Sequence, residues 1–433
     1  MSAAVLVLAS VFLLMAAICY LRMPIGMLLT LLGVAGYALL DGPANAVSML
    51  GNEFWGTFSN AGLTVVPLFV FMGQICFHSG LSSRLYQGIA AWIGHRRGGI
   101  AAATVAACGA FATICGSNTA TAATMSVVSL PEMRRYGYQS AFASGVIAAG
   151  TTLGAVIPPS VVAIVLGIQT GLSIKKLFMG GVLPGLLLLA LFLLTIAWLA
   201  RVRPDWGPAG IKATWRERMA GLPGLLEAVL LFGLVVGGLF SGIFTPTEAG
   251  GAGSALALLF AFARGGLNGK TLARAVMETL NVSAMIFLLL AGAGCYGKFL
   301  SVSRTPFMVA EWVQGAAIAP FTLLLLILLV YIVGGMIMDA LALLLITLPI
   351  FFPLVQGMGY DPLWFSLLLL VVTTLGAITP PVGASAYVVA SMGKTPLGDV
   401  FRGTLLFIPA FLLCIAVMLA FPDMVLWLPG LVD

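Results

Sequence analysis

The 433-residue chain is 61% hydrophobic and only 8% charged, which excludes a soluble globule and marks a polytopic helical membrane protein. Its formal charge of +6 does not point to nucleic acid, because Lys and Arg stand singly or in pairs between apolar runs, as topology signals do. The cysteines at 19, 76, 108, 115, 295 and 414 lie in apolar segments without metal-ligand spacing, so they read as small packing residues and not as a zinc site or a disulfide framework.

The N-terminal run, about 3–21, lacks a basic leader and is about long enough to span, so it is expected to be a first helix and not a cleaved signal. Apolar runs of spanning length follow at 25–40 and 61–79, with 44–60 (Glu53, Phe54, Trp55) expected at the interface. Residues 81–97 mix apolar positions with Arg84, Arg96 and Arg97, which suits a helix lying along the membrane surface.

Residues 98–131 are small or apolar throughout and are flanked by Arg96–Arg97 and Arg134–Arg135, so both ends are expected on the cytoplasmic side. These 34 residues are too few for two crossings of about 20 each, and a re-entrant hairpin is predicted. Its tip falls near CGSNTAT (Cys115–Thr121), where Gly116 permits the turn and Ser117, Asn118 and Thr119 place amide and hydroxyl oxygens near mid-membrane. The alternative is a small-residue packing face.

Residues 138–172 contain TTLGAVIPP (Thr151–Pro159). A Pro-Pro removes two backbone donors and clashes with the preceding turn, so the helix breaks. Freed carbonyls are tolerated at membrane depth only where protein buries them or where they line a cavity. A lone Pro-Pro reads as a packing kink. The near-copy TTLGAITPP (Thr373–Pro381), 222 residues on, favours a binding site at both breaks.

A span at 179–200 is followed by the basic link 201–218. The plan then recurs: spans at 223–243 and 247–263, an arm with Lys270 and Arg274, a span at 283–300, and a surface segment with Arg304 and Trp312. A second hairpin is expected over 319–352, centred on Gly334–Gly335, then a broken helix over 362–392 and a last span at 404–422. The offset of 222 also pairs Pro24 with Pro246, Pro131 with Pro353, and Gly137–Tyr138 with Gly359–Tyr360.

The division is therefore 1–203, a cytoplasmic linker at 204–222, and 223–433. Each half would hold five crossings plus a hairpin that returns to its own side, and an odd number requires inverted repeats. With both termini periplasmic, 16 of the 20 Lys and Arg fall on the cytoplasmic side, all but Lys175, Lys176, Lys298 and Arg304.

Asp339 is the only charged residue from Phe321 to Tyr360. An intramembrane carboxylate points to function, ion binding included, with helix capping as the structural alternative. Glu248, close to a predicted span end, and Glu278, in an arm, are weaker candidates.

The strings CGSNTATAAT, TTLGAVIPPS, FTPTEAG, GGMIMDALALLLITLPIFFP and TTLGAITPPVGAS, in this order along essentially the whole chain, resemble the large membrane subunit of tripartite ATP-independent periplasmic (TRAP) transporters, within the ion transporter superfamily. The resemblance implies an elevator-type, sodium-coupled importer of the bacterial inner membrane. It would act with a small membrane subunit and a periplasmic substrate-binding protein on a small organic acid, with Na+ as coupling ion and no other cofactor. Hairpins and broken helices would form the transport domain, and the other spans and arms the scaffold.

Ser117–Asn118–Thr119 is similar to a Ser-Asn-Thr signature of sodium-coupled relatives, which implies one ion site with Gly116 and carbonyls near Gly154–Pro158. By pseudo-symmetry a second would use Gly335, Asp339, Thr379 and carbonyls before Pro380, although Met338–Asp339–Ala340 stands where Ser-Asn-Thr would be, leaving Na+ or H+ open. Substrate contacts are expected from Asn118, Thr119, Ser160, Val382 and Gly383, with no basic clamp nearby.

Other classes fit less well. Gly269–Lys270–Thr271 and Gly393–Lys394–Thr395 lack the preceding glycine of a Walker A loop, which disfavours an ATP-driven pump. The only histidines, His78 and His95, have no matched catalytic partner, so an enzyme is not expected. A channel would conduct far above carrier turnover. The nearest rival is a stand-alone sodium- or proton-coupled carboxylate carrier, which would not depend on an added periplasmic protein.

Overall fold

The computed structural model describes residues 6–7, 9–10, 13–14, 23–315 and 318–431. The expected first span at 3–21 therefore lies largely outside the described residues. Among the described residues the secondary structure is helical, without a strand. Among the described residues, seven helices are long and apolar enough to cross a membrane by length and composition.

Local rules account for several helix ends. Gly42 (φ +94°) separates Ile25–Asp41 from Pro43–Phe58, with Pro43 at the first helical position, where its missing N–H is harmless. Thr214 with Glu217 and Thr245 with Glu248 form capping boxes that start Trp215–Phe232 and Pro246–Ala263. Glu248 is thus a helix cap, and Glu278 pairs with His78 at 3.0 Å.

The expected arm and span after Lys270 run together as one helix, Gly269–Val302. Asn268 accepts the Thr271 N–H at its start, and no proline interrupts the run, so nothing in the backbone forces a bend where the charges stop.

The chain forms two compact units. The first comprises 1–64, 280–330 and 341–362. In it, Ile25–Asp41 lies against the second half of Gly269–Val302 with backbone touching backbone. A Cβ on Gly33 would stand 2.6 Å from the Tyr296 nitrogen, and one on Gly26 would stand 2.8 Å from the Leu288 carbonyl. Small residues permit such an approach between membrane helices. Phe58 packs edge-on against Phe287, and Glu53 lies 3.8 Å from Lys298.

The second unit comprises 65–279, 331–340 and 363–433. Its centre is the segment 141–156, buried throughout. Gly145 there meets Gly403 of Leu397–Thr404 so closely that a Cβ on either would overlap the other's backbone. Arg134 donates to the Gly393 carbonyl (2.7 Å) and to Thr395 Oγ1 (2.9 Å), closing the end of the helix Ala384–Gly393. The described cysteines, 76, 108, 115, 295 and 414, are buried free thiols.

Also in the second unit, Glu227 accepts from Arg264 Nε at 2.7 Å and from Arg84 Nη2 at 3.1 Å. Glu227→Ala leaves two guanidinium groups facing each other. Removing one partner of a fully buried pair costs about 3–5 kcal/mol. The expected loss here is somewhat smaller, because the Arg264 side chain is half exposed. Thermal unfolding of the purified variant measures it, and an unchanged midpoint would refute the role assigned to Glu227.

Candidate functional site

The first break and the first hairpin turn meet. Gly99–Cys115 ends at Gly116, whose φ of +62° is one that glycine adopts without strain. Ser117, in extended conformation, accepts the Ala120 N–H and opens Asn118–Arg135. On the other side, Ser140–Thr151 and the turn Leu153–Val156 stop before the cis pair Pro158–Pro159, and Val161–Thr170 begins beyond it.

The Val161 N–H donates to the Gly116 carbonyl at 3.3 Å. A Cβ on Gly116 would lie 3.1 Å from the Pro159 carbonyl oxygen, and one on Gly154 would lie 3.2 Å from Asn118 Oδ1. Gly116, Asn118, Gly154 and the Pro159 carbonyl therefore share one small space, with Ser117 at its rim and Pro158 in the buried bend. Asn118 Oδ1 is itself buried and, among the described residues, has no hydrogen-bond partner. A buried amide oxygen left unmatched costs about 1–3 kcal/mol, and a hydrogen-bond donor or a cation would complement it.

The second break repeats the local pattern. Pro320–Gly335 ends in a turn, and Asp339, exposed, precedes Ala340–Gly357. Pro362–Gly376 ends before the cis pair Pro380–Pro381, and Gly383 (φ +55°) leads into Ala384–Gly393. The Val382 and Gly383 N–H groups both donate to the Met336 carbonyl at 3.1 Å. Gly376 and Gly335 touch, a Cβ on Gly376 standing 2.6 Å from the Gly335 Cα.

Not every expected residue faces open space. Ser160 is buried and caps Val161–Thr170 through the Ala163 N–H, and Thr379 is buried and donates to the Gly376 carbonyl at 2.9 Å. Thr119 is exposed, its hydroxyl 3.3 Å from that of Ser117. The two breaks differ in access: Ile157–Ser160 is buried, whereas Pro380–Val382 is exposed.

Backbone partners are what side-chain reasoning missed: the Pro159 and Met336 carbonyls, the Val161 N–H, and Gly376. The last was findable, because Gly376 stands 222 residues after Gly154 in the matched TTLGA strings. Both clusters offer carbonyl, amide and hydroxyl oxygens. No Lys or Arg occurs from 98 to 133, from 136 to 174, or from 305 to 393. Such a set suits a hard monovalent cation and a ligand held by backbone groups and helix N-termini.

A family model described as "Tripartite ATP-independent periplasmic transporter, DctM component" matches residues 12–424. Among relatives, the C4-dicarboxylate TRAP transporter large permease protein DctM of Pseudomonas aeruginosa is 33% identical over 404 residues, 92% of this chain and 93% of that one. The ectoine/5-hydroxyectoine TRAP transporter large permease protein UehC of Ruegeria pomeroyi is 29% identical over 98% of this chain and 99% of its own length. Among solved structures, the YdaH transporter of Alcanivorax borkumensis aligns with a TM-score of 0.61 at 17% identity, covering 90% of this chain and 89% of that one, a likeness of fold.

Proposed function

The chain belongs to the DctM component family of tripartite ATP-independent periplasmic transporters, and from that premise we propose that it couples the entry of sodium to the import of a small organic acid anion. As a large permease it is the multi-pass membrane subunit of a system that also contains a small membrane subunit and a periplasmic binding protein. The C4-dicarboxylate and ectoine named for the two relatives both carry a carboxylate, which supports a carboxylate-bearing substrate here.

The observation that carries the sodium reading is the buried, unmatched Asn118 Oδ1 beside Gly154, Gly116 and the Pro159 carbonyl. The second cluster, with Gly335, Thr379, Asp339 and the carbonyls before Pro380, is the proposed partner site, and the exposed Val382 with Gly383 and Thr119 is the proposed contact for substrate.

Two features support inverted repeats moving as an elevator. The first arms of the hairpins, Gly99–Cys115 and Pro320–Gly335, have 17 and 16 residues. At about 1.5 Å per residue they reach about 25 Å, short of a hydrocarbon core of about 30 Å. Each turn is also tied by backbone hydrogen bonds to the break beside it, with donors Val161 and Gly383 set 222 residues apart, so hairpin and break would travel together. The proposed setting is the inner membrane with both termini periplasmic.

Thermal stability of the purified protein in NaCl against equimolar KCl tests the reading without knowledge of the substrate. A cation bound only to the folded state raises stability by mass action, about 2.7 kcal/mol at a hundred times its Kd. Sodium-specific stabilisation is expected in wild type and should shrink in Asn118→Ala and in Asp339→Ala. Equal stability in the two salts would overturn sodium coupling.

A further inference from the structure

The helices Trp215–Phe232 and Pro246–Ala263 leave between them a groove of about 330 Å³, lined by Met219, Leu222, Leu226, Leu230, Phe260 and Arg264 among others. Leu222, Leu226 and Leu230 recur every fourth residue, so they form one stripe along a helix face. All three are exposed, Leu226 to 56%. An apolar stripe on a membrane helix meets lipid by default. The charged pair set in the wall of this groove makes it selective.

In that wall, between Leu226 and Leu230, sits Glu227, 5% exposed, with each carboxylate oxygen taken by a different arginine. Arg84 is further held by donating to the Ser79 carbonyl at 2.9 Å. Arg264 gives only its Nε to Glu227 and, among the described residues, makes no other side-chain hydrogen bond. Two guanidinium groups against one carboxylate leave a net positive charge, and the remaining donors of Arg264 form a planar fork suited to phosphate. Arg264 directly follows the last residue of Pro246–Ala263, at the end the charge bias assigns to the cytoplasmic interface.

An apolar trough with an underneutralised arginine in its wall matches a molecule with an alkyl chain and an anionic head. We propose that this groove holds one anionic phospholipid, its phosphate on Arg264 and an acyl chain running inward along Leu226, Leu230 and Phe260. Basic pockets between membrane helices on the cytoplasmic side bind anionic headgroups on the same principle. The lipid would complete the charge balance begun by Glu227 and brace the two helices against each other.

The test is the melting temperature of the purified protein in detergent with added phosphatidylglycerol, phosphatidylcholine or inorganic phosphate, for wild type, Arg264→Gln and Leu226→Trp. Arg264→Gln keeps the Glu227–Arg84 pair, and Leu226→Trp fills an exposed groove without touching charge. Phosphatidylglycerol is expected to raise the wild-type midpoint by several degrees and phosphatidylcholine by less than half as much, with the difference lost in both variants. Mass spectrometry of lipid retained through purification supplies a readout even if a variant is poorly stable, and wild type should retain anionic lipid preferentially. Equal effects of the two lipids would overturn the proposal, as would inorganic phosphate alone reproducing the shift. So would Leu226→Trp keeping the full lipid response while losing co-purification of the small membrane subunit, which would make the groove a protein contact.

Discussion

Gly403→Val is expected to abolish the folded second unit, and Gly403→Ala to destabilise it by about 3 kcal/mol or more. A Cβ at 403 would overlap the Ala141 carbonyl oxygen and stand 2.8 Å from the Gly145 Cα. Those are backbone atoms of a buried helix, so no side chain can rotate aside, and the two helices must separate. Separation would open the packing around Ser140–Val156, the segment that carries the first Pro-Pro break. Yield of monodisperse protein and its thermal midpoint measure the effect. A valine variant that purifies and melts like wild type would refute the contact.

The second large effect is on ion response more than on folding. Gly376→Ala is expected to remove the sodium-dependent stabilisation while the protein still purifies. Its new methyl group would press on the Gly335 Cα and carbonyl carbon at 2.6 Å and displace the end of Pro320–Gly335. The Met336 carbonyl would then leave the Val382 and Gly383 N–H groups that hold the turn to the break. Gly251→Ala is the control, because a Cβ there meets nothing within 4 Å. It should behave as wild type to within about 0.5 kcal/mol. A sodium response of Gly376→Ala equal to that of Gly251→Ala would show that the Gly335–Gly376 contact has no part in the site.

Features governed by backbone rules were legible in the sequence. Composition places the chain in the membrane, Pro158–Pro159 and Pro380–Pro381 stop helices, and Gly116 turns the chain, because proline and glycine restrict or free the backbone wherever they stand. The family is likewise legible in its strings, from CGSNTATAAT to TTLGAITPPVGAS. Charge patterning misled at Gly269–Val302, where Lys270 and Arg274 suggested a separate surface arm. Polar composition marks where a helix meets water, yet a helix can cross from water into lipid without a break.

In the candidate site, side-chain types were legible and contacts were not. Asn118 stood out by type, whereas the Met336 carbonyl carries no signature, since every residue has one. Ser160 looked like a ligand because it follows Pro-Pro, but a serine opening a helix also satisfies a stranded N–H, and here it does. Which of the two a hydroxyl does depends on where the chain points next, and residue type alone does not encode that.

Arg134 and the Gly393 carbonyl it binds are 259 residues apart. At about 5–20 residues per second, the ribosome needs roughly 13 to 52 seconds to deliver the second after the first. For that interval a nascent chain in the membrane lacks the Gly393 carbonyl that Arg134 binds and the Gly403 backbone that packs on Gly145. Truncations before about residue 403 lack the partner of the Gly145 face and are expected to be cleared by quality-control proteases instead of accumulating as a stable half.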